Sequence, residues 1–380
     1  MSLSDAQAAL LAGRLADARS LMTALCATKP SVEGWLLLSD VEARAGDGPA
    51  QLRALDAAQA LNGQDVRVLL AKGDYYDTAR NPRQAGAFYA QALAIAQQNP
   101  AHARPMVAAL QRAQTKCNAY AKAYEAHLNQ ALAAPDSTNA PGTEDQSARF
   151  THSLDIMFGR KPVFAQQPTQ YYFPGLPAQP FYDTALFDWC SALEAATPSI
   201  RDELNAYLKT ADAFAPYVSR NTDGPRSDHS GMMDNAGWSA LFLWRDGKPD
   251  HALQHRFPAT TAIMETVTKA DIPGHSPTVL FSLLKAGTKI PPHTGLINTR
   301  LIGHLPLIVP DGCALRVGAQ TRPWTLGSAM IFDDTIEHEA WNTSQADRYV
   351  LIFDTPNPLL TPMEHQKVRR LFGAIESFAG

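Results

Sequence analysis

Apolar residues in this 380-residue chain keep a helical spacing at first and then lose it, and that change constrains the fold more than any single motif. Before residue 135, alanine, leucine, glutamine and arginine dominate, and apolar residues recur at three- and four-residue intervals. Such spacing lines one face of an α-helix. After "ALAAPDSTNAPGTEDQS" (131–147), aromatics, prolines and β-branched residues rise. That polar stretch can bury little surface and reads as a linker. The chain is long enough for two cores. The reading is a helical domain over 1–133, a linker over 134–150 and a second domain over 151–380.

The helical part carries an internal period. "WLLLSDVEARAGDGPAQLRALDAAQALNG" (35–63) aligns with residues 69–100 at an offset of 34, so that Trp35 meets Leu69, Ser39 meets Gly73, Leu55 meets Tyr89 and Ala58 meets Ala92. A half-copy at 13–30 ends on Ala18, Met22, Leu25 and Pro30. The spacing resembles the tetratricopeptide repeat, whose small residues let paired helices approach. An alanine-rich bundle without true repeats is the alternative. Either form suits contact with a peptide or protein, or dimerisation.

The second part reads differently. "YYFPGLPAQPFYD" (171–183) is too rich in proline for a helix or a central strand. Residues 184–210 have helical spacing, interrupted before Pro198. Strand-like runs follow at 237–250, 278–287, 297–310, 313–320, 328–334 and 348–355, with turn signals between them. Many short strands without long helices between them predict an antiparallel sandwich or jelly roll. The fold class is therefore α+β in two domains: helical repeats, then a jelly roll with flanking helices.

Composition narrows the partners. A net charge of −4 gives no support for nucleic acid or an anionic membrane. Cys26, Cys117, Cys190 and Cys313 are too scattered for a zinc site or a disulfide framework. No run of eighteen apolar residues occurs, and the N-terminus lacks a signal-peptide pattern. The expectation is a soluble cytoplasmic protein with reduced thiols and no membrane span.

The candidate chemistry begins at "PPHTGLINTRLIGH" (291–304). In a strand, Arg300, Ile302 and His304 share one face, while Leu301, Gly303 and Leu305 share the other. If the leucines pack inward, Arg300 and His304 line a cavity, where a buried cation needs an anion or a metal site as partner. On an outer sheet surface the same pair would face solvent. His338 follows a strand and Arg348 opens the next, 45 and 55 residues after His293. Neutral imidazoles suit Fe(II), and a guanidinium can grip a carboxylate with two hydrogen bonds. Gly295 stands where a 2-His-1-carboxylate triad would place its acid. His229, His251, His255 and His275 read as loop residues, and Trp238, Trp244, Trp324 and Trp341 as core or rim aromatics.

Five segments in order, "FPGLPAQPFYD" (173–183), "GWSALFLWRDGK" (237–248), "FSLLKAGTKIPPHTG" (281–295), "NTRLIGHLPLIVP" (298–310) and "WTLGSAMIFDDTIEHEAWN" (324–342), run on through "RYVLIFDTPNPLLTPME" (348–364). Together they resemble the catalytic domain of the aspartyl/asparaginyl β-hydroxylases, Fe(II)/2-oxoglutarate-dependent dioxygenases on a double-stranded β-helix. The resemblance implies iron held by His293 and His338 alone, with Gly295 in the carboxylate's place. It implies that Ser282 and Arg348 hold the distal carboxylate of 2-oxoglutarate, that His304 lies near its other end, and that Arg300 recognises a substrate acid. It also implies O2 as co-substrate, succinate and CO2 as products, and hydroxylation at the β-carbon of aspartyl or asparaginyl residues. The chain departs from the animal enzymes at Ile302, where they carry a second arginine. Asp333 and Asp334 read as residues that order the His338 loop rather than as ligands. An iron halogenase, a cupin-type metalloenzyme without a 2-oxo acid, a hydroxylase of small acyl, lipid or free amino-acid substrates, and a peptide-binding repeat protein with an inert barrel are the alternatives.

Overall fold

The computed structural model describes residues 2–100, 104–132, 144–211, 214–218 and 233–379. Two compact units divide the chain, Met1–Thr143 and Glu144–Gly380. The first contains α1 (Leu3–Leu11), α2 (Leu15–Thr28), α3 (Val32–Arg44), α4 (Gly48–Leu61), α5 (Val66–Thr78), α6 (Pro82–Gln98) and α7 (Val107–Leu132). The 34-residue offset holds for the helix starts at Val32 and Val66 and again at Gly48 and Pro82. It extends to the caps. Ser31 and Asp65 accept backbone hydrogen bonds from Gly34 and Arg67, and Asp47 and Asn81 from Ala50 and Gln84. Each satisfies an amide that the first helical turn leaves unpaired. Gly46 and Arg80, again 34 apart, both have positive φ. Gly73 lies against the Tyr89 ring, leaving no room for a β-carbon.

The second unit opens with α8 (Glu144–Met157). Residues 144–150 of the expected linker are thus helical, because Phe150, Leu154 and Met157 recur at helical spacing; residues 134–143 lie outside the described residues. After β1 (Phe181–Tyr182) come α9 (Cys190–Ala195) and α10 (Thr197–Leu208), with the break just before Pro198. Next are β2 (Ala215–Pro216), β3 (Trp238–Arg245), β4 (Lys248–Pro249), α11 (His251–Arg256) and α12 (Pro258–Thr266). His251 and His255 therefore lie on a helix rather than in loops, with the Asp250 side chain capping its first turn. His229 lies outside the described residues. The strands β5 (Val279–Leu284), β6 (Lys289–His293), β7 (Arg300–Ile308), β8 (Cys313–Val317), β9 (Gln320–Pro323), β10 (Met330–Phe332), β11 (His338–Asn342) and β12 (Arg348–Pro356) precede α13 (Pro362–Ala379).

These strands form two antiparallel sheets. The larger runs β1-β10-β7-β12-β5-β3-β2, with β4 also on β3, and the smaller runs β6-β11-β8-β9. One apolar core joins the larger sheet to the helices: Leu301, Leu305, Leu351 and Phe353 pack with Leu193, Ile200, Leu204 and Phe257. A second core includes Leu284 and Phe332 of the larger sheet with Ile290, Leu315 and Val317 of the smaller. The leucine face of β7 thus packs on helices, and the Arg300–Ile302–His304 face is turned toward the other sheet, as strand parity requires. Strand β6 escaped the sequence reading because Pro291 and Pro292 sit in it. It is an edge strand, where a missing backbone donor is tolerated.

Candidate active site

Ser282, His293, Arg300, His304, His338 and Arg348 all line one cavity of about 490 Å3. They arrive on five strands. His293 ends β6 and His338 begins β11, and the two are direct cross-strand partners with ring centroids 4.1 Å apart. Each ring is fixed by a carbonyl two residues before it: His293 Nδ1 lies 2.8 Å from the Pro291 oxygen and His338 Nδ1 lies 3.1 Å from that of Ile336. A proton on each Nδ1 leaves the Nε2 lone pairs free, the state in which imidazole binds metals. Burial holds both rings below the usual histidine range. For His338, burial and then the neighbouring His293 bring the value down to about 3.

Ser282 on β5 and Arg348 on β12 share a face of adjacent strands, since Ser282 pairs with Val350 and Leu284 with Arg348. Both are buried. Among the described residues, Ser282 Oγ and Arg348 Nε and Nη1 have no hydrogen-bond partner. Burial draws the Arg348 guanidinium down to about 10, which still leaves it charged at neutral pH. Its planar group lies 4.7 Å from the centre of the Trp324 ring. A buried cation with unpaired donors is costly unless an anion meets it, so this end of the cavity is built for a carboxylate or a similar group.

Trp324 also donates from Nε1 to His304 Nδ1 at 3.2 Å. The bond leaves the His304 proton on Nε2, where it can be donated into the cavity. Burial, followed by the charges of Arg348 and His338, keeps His304 well below the usual range and hence neutral. The sequence reading treated Trp324 only as a core or rim aromatic. Its position inside "WTLGSAMIFDD" was the available signal.

Asp333 and Asp334 behave differently from one another. Asp333 accepts from the Thr335 amide and hydroxyl at 2.9 and 2.6 Å and from Gln166 at 2.5 Å, which orders the loop leading to His338. Asp334 instead lines the cavity, 3.4 Å from Arg300 Nη1. A β-carbon at Gly295 would fall on its carboxylate. Asp334 therefore occupies the volume that an acid at 295 would have needed. No position-by-position motif could have shown this, because the two residues lie on separate loops joined by the Gly295 N–H···O=C Asp334 bond. Among the described residues, no three His, Cys, Asp or Glu side chains are grouped to hold a metal. The residues fit a two-histidine centre.

Residues 194–358 match the family described as Aspartyl/Asparaginyl beta-hydroxylase. The mouse protein of the same name is 30% identical over 207 residues, 53% of this chain and 26% of that protein. The ornithine lipid ester-linked acyl 2-hydroxylase of Rhizobium tropici is 36% identical over 186 residues, 48% of this chain and 62% of that protein. The chain thus spans about a quarter of the mouse protein and under two thirds of the bacterial one. Among solved structures, PcrH of Pseudomonas aeruginosa is similar at 19% identity and a TM-score of 0.28, over 32% of this chain and 94% of that one. Residues 194–358, the span similar to the aspartyl/asparaginyl β-hydroxylase family, include Ser282, His293, Arg300, His304, His338 and Arg348.

Proposed function

We propose that the C-terminal unit is an Fe(II)- and 2-oxoglutarate-dependent hydroxylase. The observation that supports it most is the polarity of one cavity: a pair of neutral histidines facing each other, and a buried Arg348–Ser282 pair with unsatisfied donors. His293 and His338 would hold the metal through Nε2. Arg348 and Ser282 would bind the distal carboxylate of 2-oxoglutarate, and His304 Nε2–H would donate toward its other end. Iron, 2-oxoglutarate and O2 together would supply the oxidation that places a hydroxyl on a substrate carbon, with succinate and CO2 released. The chain's own part is to orient the co-substrate and to keep the cavity dry. Ile290, Leu315 and Phe332 line it with apolar surface. Arg300 would contact the substrate.

Anaerobic addition of Fe(II) and 2-oxoglutarate should produce a weak visible charge-transfer band that the His338→Ala variant lacks. A wild-type protein that takes up no iron and shows no band overturns the proposal.

For the substrate we infer the β-carbon of an aspartyl or asparaginyl residue in a peptide or protein, with the helical repeats available for contact. A second reading, hydroxylation of an acyl chain, is favoured by Ile302, which replaces a cation with apolar surface in the cavity, and by the identity to the Rhizobium acyl hydroxylase. Incubation with each class should separate them: the true substrate gains one oxygen atom in mass only when 2-oxoglutarate is present. The four unpaired cysteines suit a reducing cytoplasm, which we propose as its location.

A further inference from the structure

Arg300, Ile302 and Ile352 line the cavity described above and also a second chamber of about 420 Å3. The second chamber has apolar walls from Phe242, Leu280 and Phe353, and it contains Asp354. Asp354 is 2% exposed. Its Oδ2 accepts from the Ser276 hydroxyl at 2.5 Å and the Thr278 amide at 3.1 Å, while Oδ1 has no partner among the described residues. Among the described residues Asp354 forms no ion pair. The nearby Arg300 is matched by Asp334 at 3.4 Å. Arg245, the other cation lining the chamber, lies over the Phe242 ring at 4.6 Å and beside Asp246 at 3.9 Å. Among the described residues, one buried carboxylate oxygen is therefore left without a donor or a dedicated countercharge. Burial accordingly pushes the Asp354 carboxyl up to about 6 in spite of Arg300. A buried polar atom of this kind is a cost to the fold unless a ligand satisfies it.

We propose that this second chamber binds an alkylammonium group, with the ammonium donating to Asp354 Oδ1 and the alkyl stem lying against Phe242, Leu280 and Ile352. The two chambers share Arg300, Ile302 and Ile352, so a substrate anchored there lies next to the cavity of His293 and His338. Its role as a substrate subsite rests on the hydroxylase reading; the binding itself does not. The ammonium can belong to an amino-acid side chain or to an amine-bearing lipid headgroup, which present the same chemistry to the chamber.

The test is calorimetric titration of the full, metal-free chain at neutral pH with hexylammonium, hexanol and hexanoate. Hexylammonium should bind at least about 10-fold more tightly than hexanol, as a hydrogen bond to a charged group requires. Hexanoate should bind no better than hexanol. In Asp354→Asn, which keeps an oxygen for Ser276 and Thr278, hexylammonium should fall to the level of hexanol. Equal binding of hexylammonium and hexanol to the wild type overturns the proposal, and that comparison needs no variant. Lysine amide and a short-chain phosphatidylethanolamine then compete against hexylammonium. Displacement by either supports the subsite and identifies the source, and displacement by neither removes its role in substrate binding. A protein that shows the iron charge-transfer band yet ignores hexylammonium would sink this inference alone.

Discussion

The two units treat buried polar groups in opposite ways. In the helical unit they are paired: Lys72 reaches Asp56 and Gln59 at 2.6 and 2.5 Å, Arg19 meets Glu42, and the Tyr89 hydroxyl donates to Asp74 at 2.6 Å. In the sheet unit, every buried side-chain atom that lacks a hydrogen-bond partner among the described residues lies between Trp238 and Asp354. Most of these belong to Ser282, Arg300, Asp334, Arg348 and Asp354, which line the two chambers. Glu339 differs, because its oxygen meets Lys289 at 2.6 Å. A fold that pairs its polar groups in one unit and leaves them unpaired around a cavity in the other holds the second set for a ligand.

The largest effect should come from Arg348→Met. Removing the guanidinium should weaken 2-oxoglutarate binding about 100-fold, since a bidentate charged contact is lost. Thermal stability of the apo protein should stay level or rise, because an unpaired buried charge is removed. A marked fall in stability without loss of affinity would show that Arg348 is structural and would break the contrast between the units.

Asp354→Asn sharpens the contrast through pH. The folded-state pKa of Asp354 is raised to about 6, above the ordinary unfolded value of about 3.9. The folded state therefore holds this proton more tightly, and the penalty from this group appears as pH rises from about 4 to about 6. The variant should match the wild type near pH 4 and gain on the order of 2 kcal/mol by about pH 7. Denaturant unfolding at both pH values measures the difference, and a difference independent of pH would refute it.

Tyr89→Phe should have the smallest effect and the opposite sense. It leaves the ring against Gly73 and removes only the paired hydroxyl, so the helical unit should lose about 1 kcal/mol. A gain on urea unfolding would mean that pairing in this unit is no more favourable than orphaning in the other.

Much of the fold was legible because its causes are local. The 34-residue period, the break before Pro198 and the face alternation of Arg300, Ile302 and His304 follow from side-chain spacing along single elements. The linker was overdrawn, since composition outweighed the helical spacing of Phe150, Leu154 and Met157. Strand β6 was missed, since two prolines conceal a strand whose place at an edge tolerates them.

What the sequence by itself determined was the two-part architecture and the residue types available for chemistry, because periodicity and local hydrogen bonding are properties of neighbours in the chain. Only the tertiary structure decided that six residues spread from Ser282 to Arg348 share one cavity, that Trp324 orients His304, that Asp334 fills the space beside Gly295, and that Asp354 faces a second chamber. Those contacts join separate strands and loops, and their partners are chosen by how two twisted sheets close on one another, a packing outcome that no local pattern encodes.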